Sequence, residues 1–329
     1  MLRFLVTRLL RAVLTLFGIS VLTFVMFFGL PRDPASALCG KGCGPERVAT
    51  VRHELGLDRP KVVQYGEYMR GIFAGRTLGD VDGGRRCHAP CLGYSYANNE
   101  FVTEGLGRVL PVTLSIVLPA ATIWLLFGVA LGMMSALRRG TAFDKISVGV
   151  SLTGASMQIY FLGLILLLLL VYNLKVLPNP GYTPLLSDPG RWVAGLVLPW
   201  LTLAFINSAL YARLSRAQML ETLSEDFVRT ANAKGLSRSR VYLRHALRAA
   251  ITPIVTIAGL DLGSFLGGTV ITESTFGIQG LGRYAIDAVG DGNFPVIMAT
   301  VLVAAVFVIL GNMLVDLVYP LIDPRVKLT

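Results

Sequence analysis

Six long stretches of this chain carry almost no charge, and they leave it few ways to fold. They run from Ala12 to Leu30, Val109 to Leu137, Ile146 to Leu174, Trp192 to Ala212, about Ala249 to Thr272, and Phe294 to about Tyr319. A helix needs about 20 apolar residues to cross the ~30 Å hydrocarbon layer, and each stretch is near or above that length. The fold expected is therefore all-α: a polytopic membrane protein with six transmembrane helices. Residues 1–34 form an N-terminal transmembrane helix, 35–107 an extracytoplasmic cysteine-containing segment, and 108–329 the membrane core. With 53% of its 329 residues hydrophobic and only 15% charged, the composition excludes a soluble multi-domain protein.

The net charge of +10 could suggest a nucleic-acid partner. No stacking platform or base-reading motif accompanies it, so nucleic acid is excluded and membrane lipid is the partner. Lys and Arg collect on the cytoplasmic side of membrane proteins. Arg3, Arg8 and Arg11 precede the first stretch, and Arg138, Arg139 and Lys145 follow the second. Residues 213–248 add Arg213, Arg216, Arg229, Lys234, Arg238, Arg240, Arg244 and Arg248, and Arg325 and Lys327 lie in the tail. The opposite short loops hold only Lys175, Arg191 and Arg283. Both termini and the 213–248 segment are thus expected in the cytoplasm, and residues 35–107 outside.

The N-terminus has the look of a signal peptide, with Ala35-Ser36-Ala37 in place of a cleavage site. Its apolar run exceeds the ~7–15 residues of a signal core, so it reads as an uncleaved span. Pro31 and Pro34 end its helix. Val48 to Asp58 and Val62 to Phe73 can each form a short outer helix. Cys39, Cys43, Cys87 and Cys91 form two Cys-x3-Cys pairs in this segment. With His53 and His88 they could ligate zinc. An oxidising location favours disulfides instead, with three connectivities open.

Gly128 and Gly132, and then Gly259, Gly263 and Gly267, recur every four residues, as in helices that pack closely in lipid. Asp261 is the one charge well inside an apolar stretch, on nearly the opposite side of its helix from Gly259 and Gly263. It faces either a watery pathway or a hydrogen-bonding neighbour such as Asn207 or Gln158. No Gly-Lys-Ser/Thr phosphate loop or His-Glu-x-x-His pattern is present, so neither ATP hydrolysis nor other enzymatic activity is expected of this chain.

Ser224 to Thr252 is the longest polar interruption of the second half. Met219, Leu220, Leu223, Phe227, Val228 and Ala231 recur at helical spacing, and Gly235 after Lys234 suits a left-handed cap. Ser237 or Ser239 can cap a second helix. Such an amphipathic helix between two spans lies on the membrane surface or docks on a partner.

The residues here resemble those of a known family. Arg229-Thr230-Ala231, Lys234-Gly235-Leu236 and Arg244-His245-Ala246-Leu247-Arg248 resemble the coupling loop of bacterial ABC importer permeases, and more narrowly their dipeptide/oligopeptide/nickel family. Arg229, Thr230 and Ala231 occupy the place of the broader family's Glu-Ala-Ala triplet and Gly235 matches its Gly; the Glu and a later Pro are missing, as they commonly are in the peptide branch. Leu30-Pro31-Arg32-Asp33-Pro34, Leu55-Gly56-Leu57-Asp58-Arg59-Pro60, Gln64-Tyr65, Ala136-Leu137-Arg138-Arg139-Gly140, Glu273-Ser274-Thr275-Phe276, Gly280-Leu281-Gly282-Arg283, Asn312, Asp316 and Asp323-Pro324-Arg325 extend the likeness over nearly the whole chain. About 36–47 and 80–99, where both cysteine pairs fall, have no counterpart.

The resemblance implies the transmembrane domain of a type I ABC importer in the bacterial cytoplasmic membrane, moving short peptides. It implies a coupling helix near 224–236, with Glu225, Asp226, Phe227, Val228, Arg229, Thr230, Ala231, Lys234, Gly235 and Leu236 in contact with a separate ATPase. The partners implied are a second homologous permease, two ABC ATPase subunits or one fused ATPase, and an extracytoplasmic substrate-binding protein. This chain binds no cofactor in that scheme; ATP and magnesium belong to the ATPase. A secondary transporter would show internal repeats, and a membrane-embedded enzyme several facing ionisable residues; neither is seen.

Overall fold

The computed structural model describes residues 2–29, 35, 44–54, 58–78, 85–95 and 97–322. In chain order, α1 (Leu2–Gly29) is followed by the outer helices α2 (Pro45–Glu54) and α3 (Lys61–Ala74). Two hairpins come next: β1 (Arg76–Leu78) with β2 (Arg85–Cys87), and β3 (Tyr94–Ser95) with β4 (Glu100–Phe101). Both are antiparallel, with Arg76 opposite Cys87 and Tyr94 opposite Phe101. The membrane part comprises α4 (Val102–Leu137), α5 (Ala142–Ser156), α6 (Ile159–Asn173, π-helical from Leu167), α7 (Pro189–Leu223), the short α8 (Asp226–Ala233) and α9 (Arg238–Leu266). Two short outer helices, α10 (Val270–Phe276) and α11 (Leu281–Gly290), lead into α12 (Phe294–Ile322).

Among the described residues, five helices are long and apolar enough to cross a membrane, and six spans result when the bent pair α5–α6 counts as one. The six-helix expectation holds in that form; the small hairpins are the one addition to an all-α chain. Several helices run past the uncharged stretches, α7 to Leu223 rather than Ala212, and two of the stretches are interrupted. The third apolar stretch is not straight: it turns by 103° between α5 and α6, where Met157 and Gln158 are extended. The fifth ends at Leu266 rather than Thr272, because Gly268 takes φ +136° and breaks the helix. A side chain pays heavily for that backbone angle, and glycine does not.

Local chemistry explains several starts. Asp188 accepts a hydrogen bond from the Arg191 N–H, 2.9 Å, and Pro189 occupies the first turn of α7, where its missing N–H has no partner to lose. Thr141 caps α5 by accepting from the Asp144 N–H.

Apolar surface alone does not drive helices together in lipid; close approach does. The glycine rows provide it. A Cβ at Gly128 would stand 2.8 Å from the Cβ of Tyr211, and Gly132 lies against the Ala212 carbonyl, so α4 and α7 pack backbone to backbone. Likewise a Cβ at Gly263 would stand 2.7 Å from the Val308 Cα, and one at Gly267 2.9 Å from the Ala304 Cβ, so α9 rests on α12. Between α4 and α7, Ile116, Trp124, Leu196, Leu203 and Tyr211 are buried in the main core.

Contacts between sequence-distant ends agree on sidedness. Arg8 at the start of α1 pairs with Asp316 near the end of α12 through two contacts of 2.8 Å. At the other end of the bundle, α11 packs with the first turns of α4 and α12 through Val102, Leu106, Leu281, Tyr284 and Val296. Ser36–Cys43 and Asp323–Thr329 lie outside the described residues, and with them Cys39, Cys43 and the Asp323-Pro324-Arg325 motif.

Candidate coupling site and membrane pathway

The chain leaves α7 at Leu223 and re-enters a helix at Asp226, with Glu225 extended at the N-cap position. Asp226 in the first turn suits the positive end of the helix. The other end closes as a Schellman motif. The Leu236 N–H reaches the Ala231 carbonyl at 3.4 Å, and the Gly235 N–H reaches Asn232 at 3.0 Å. Gly235 stands at φ +72°, as its place after Lys234 suggests. Ser237 occupies the next N-cap position without a side-chain cap bond.

The helix shows two faces. Val228 and Ala231 are buried in a socket formed by Ala136 of α4, Met219 of α7, and Val241, Ala246 and Ala250 of α9, with Leu220, Leu223 and Leu236 at its rim. Asp226, Phe227, Arg229, Thr230 and Lys234 are exposed, Phe227 by 45%. The single apolar stripe expected across 219–231 is therefore divided. The break at Ser224–Glu225 interrupts the helical phase, so Met219, Val228 and Ala231 turn inward while Phe227 turns out. The Arg229–Asp226 contact of 3.4 Å is exposed, and such pairs contribute little.

Asp261 lies in the last third of α9, five residues before its end. Its Oδ2 accepts a hydrogen bond of 2.7 Å from the Tyr211 hydroxyl of α7. The partner is neither Asn207, whose amide donates to the Leu203 carbonyl at 2.8 Å, nor Gln158, which sits at the bend between α5 and α6. Tyr211 is wholly buried, whereas Asp261 keeps partial exposure, so the pair runs from the α4–α7 core to an open face of α9. Gly259 and Gly263 face α12, away from this pair.

Two buried carboxylates were not singled out by sequence as site residues. Asp144, 4% exposed, accepts from the Ser135 hydroxyl, from the Gly140 N–H at 2.9 Å, and from Arg216 Nε and Nη2 at 2.7 and 2.9 Å. The signal was present: one acid among Arg138, Arg139 and Lys145 at the edge of a span. Glu273, fully buried, accepts from the hydroxyls of Thr113 at 2.7 Å and Thr269 at 3.0 Å and from the Arg283 N–H at 2.8 Å. Thr113 in turn accepts from the Leu281 N–H, also at 2.8 Å. These acceptors serve the unpaired first-turn donors of α11, which has no capping side chain of its own at Gly280. Gly280 is a glycine for a second reason, since a Cβ there would run into the Glu273 carboxylate.

In the outer segment, Cys87 and Cys91 are joined, with Cα atoms 5.6 Å apart. The Cys91 N–H donates to the Gly71 carbonyl at 3.2 Å, which fastens the loop to α3. The Tyr68 hydroxyl in α3 is pushed up to about 12, chiefly by burial.

The family described as "Binding-protein-dependent transport system inner membrane component" matches residues 128–328, and its N-terminal companion, "Binding-prot-dependent transport system membrane comp, N-term", matches residues 1–117. The dipeptide transport system permease protein DppB of Escherichia coli (strain K12) is 36% identical over 99% of both chains. The di/tripeptide transport system permease protein DppB of Pseudomonas aeruginosa (strain UCBPP-PA14) is likewise 36% identical, over 99% of both. A putative peptide transport system permease protein of Brucella abortus (strain 2308) is 33% identical over 97% of both. Among solved structures, a chain of the MetNI methionine ABC transporter in inward-facing conformations has the same fold. Its TM-score is 0.52 at 17% identity, covering 67% of this chain and 97% of that one.

Proposed function

The chain belongs to the binding-protein-dependent transport system inner membrane components, and from that membership we propose that it forms half of a pathway for short peptides. It is a multi-pass permease subunit of an ATP-driven importer in the bacterial cytoplasmic membrane, and not an enzyme. A second homologous permease completes the pathway. Two ATPase subunits, or one fused ATPase, hold ATP and magnesium, and an extracytoplasmic binding protein delivers the cargo. The peptide relatives, identical at about a third of positions over the full length, support the cargo class.

The observation that carries the coupling role is the division of α8 into two faces. Val228 and Ala231 seat it on three spans, while Phe227, Arg229, Thr230 and Lys234 remain exposed. A helix seated on its own bundle that presents one exposed aromatic ring among charged and polar side chains is a handle for a partner. The ATPase grips Phe227 and its neighbours; ATP binding moves the helix, and the socket passes the movement to α4, α7 and α9. Asp261, steadied by Tyr211, faces the pathway and attracts the amino terminus of a peptide.

The test is uptake by the reconstituted complex of a panel of labelled peptides and nickel chelates. Uptake of free di- and tripeptides with no chelate transport is the expected result. Chelate transport alone overturns the cargo assignment.

A further inference from the structure

We propose that the Asp144–Arg216 pair is the joint through which movement of α8 reaches α5 and the bend beyond it; this rests on the reading of α8 as the ATPase's handle. Asp144 is held from three directions: by Ser135 at the end of α4, by the Gly140 N–H of the intervening turn, and by both Nε and Nη2 of Arg216 on α7. A carboxylate offers about four lone-pair sites, and all are engaged.

The position of this cluster is the telling feature. Ser135 is next in sequence to Ala136, and Arg216 lies one turn before Met219. Ala136 and Met219 are the α4 and α7 components of the socket under Val228 and Ala231. A push on α8 therefore bears on these two helices, whose adjoining residues hold Asp144, as well as on α9. Asp144 itself stands in the first turn of α5.

The rest of α5 is loosely held near this point. An apolar groove of about 240 Å³, open to the outside of the bundle and lined by Leu131, Phe143, Ile146, Val150, Phe205 and Ala212, runs between α4, α5 and α7 just past the cluster. Close packing returns at Gly154, where a Cβ would stand 2.9 Å from the Ala209 Cβ, and the 103° bend follows at Met157. So α5 is a short rod, fastened at its foot by an ion pair, with an open groove along one side and a break at its far end.

The chemistry suits a joint. A bidentate Arg–carboxylate contact fixes angle as well as distance, so rotation of α7 turns the foot of α5 with it. Apolar contact is non-directional and would let the two helices slip. A lysine in place of Arg216 keeps the charge but offers one point of attachment.

The experiment uses the whole reconstituted complex, with binding protein and ATPase chains. Arg216→Lys, Asp144→Asn and the double variant are compared for co-purification of ATPase, ATP hydrolysed, and peptide imported per ATP. Arg216→Lys is expected to assemble and hydrolyse ATP while import per ATP falls about fivefold to tenfold, the scale of a coupling residue. Asp144→Asn is expected to fall in the same ratio, and the double variant no further, since both remove one contact. An unchanged ratio in Arg216→Lys overturns the proposal. So does a proportional loss of import and hydrolysis tracking protein yield, which marks the pair as a structural staple. Should Asp144→Asn fail to assemble, Arg216→Lys alone decides. A wild-type complex that does not retain ATPase chains refutes the role of α8 instead, a separate outcome.

Discussion

The hydroxyl of Tyr211 donates to Asp261 across 2.7 Å, joining a fully buried ring of α7 to the only carboxylate of α9. A charge at membrane depth costs roughly 2.5–3.5 kcal/mol on insertion scales, so it persists where it has a partner or water. Asp261 has a partner on one side and partial exposure on the other.

Replacing Asp261 with Asn keeps the shape and removes the charge. Import of peptides with free amino termini is expected to fall, while import of amino-blocked peptides, expression and ATP hydrolysis are retained. Tyr211→Phe deletes the donor and should destabilise by about 0.5–1.5 kcal/mol, with a smaller loss of the same selectivity. Equal import of free and blocked peptides by wild type and Asp261→Asn alike would make the pair structural.

Phe227→Asp is expected to release the ATPase chains on affinity purification, because burying an unpaired charge in an interface costs several kcal/mol. Gly235→Ala meets a different penalty: a Cβ at φ +72° costs about 1–2 kcal/mol, although the space around it is open. It should weaken ATPase retention less than Phe227→Asp does. Normal retention by Phe227→Asp sinks the docking role.

The glycine rows predict a contrast. Gly263→Val drives a side chain into the α12 backbone, and overpacking of this kind costs about 1–3 kcal/mol. Thermal unfolding in detergent should move down for Gly263→Val and stay in place for Gly149→Ala, where nothing lies within 4 Å. Equal shifts in both would show that close approach is not what the row provides.

Glu273 predicts a fault on the outer side. Thr113→Val removes the hydroxyl that donates to Glu273 and accepts from the Leu281 N–H. Leaving such buried groups unpaired costs about 1–3 kcal/mol. Hydrogen exchange should rise at the start of α11 and remain unchanged at α8. Unaltered protection in α11 contradicts the capping role.

The outer bridge is checked by mass spectrometry of unreduced, alkylated protein. Cys87 and Cys91 are expected unlabelled, and Cys39 and Cys43 as well if they form the second pair. Labelling of Cys87 or Cys91 refutes the bridge.

Span number, sidedness, the surface helix and the break at Gly235 were all legible in the chain, because each depends on quantities local to a short stretch. Apolar length, the placement of Lys and Arg, and the demand of a left-handed cap do not require knowledge of what lies opposite. The family resemblance carried by Arg229-Thr230-Ala231 and Glu273-Ser274-Thr275-Phe276 was legible for the same reason. What lay beyond reach were pairings between helices. The choice of Tyr211 for Asp261, of Arg216 for Asp144 and of Thr113 for Glu273 joins residues 50, 72 and 160 positions apart. The split of the 219–231 stripe and the bend at Met157 also came from tertiary structure. In lipid many helix faces are equally apolar, so periodicity does not say which face meets which neighbour. Small residues at close contacts and the satisfaction of a few buried charges decide it, and both are properties of the assembled bundle.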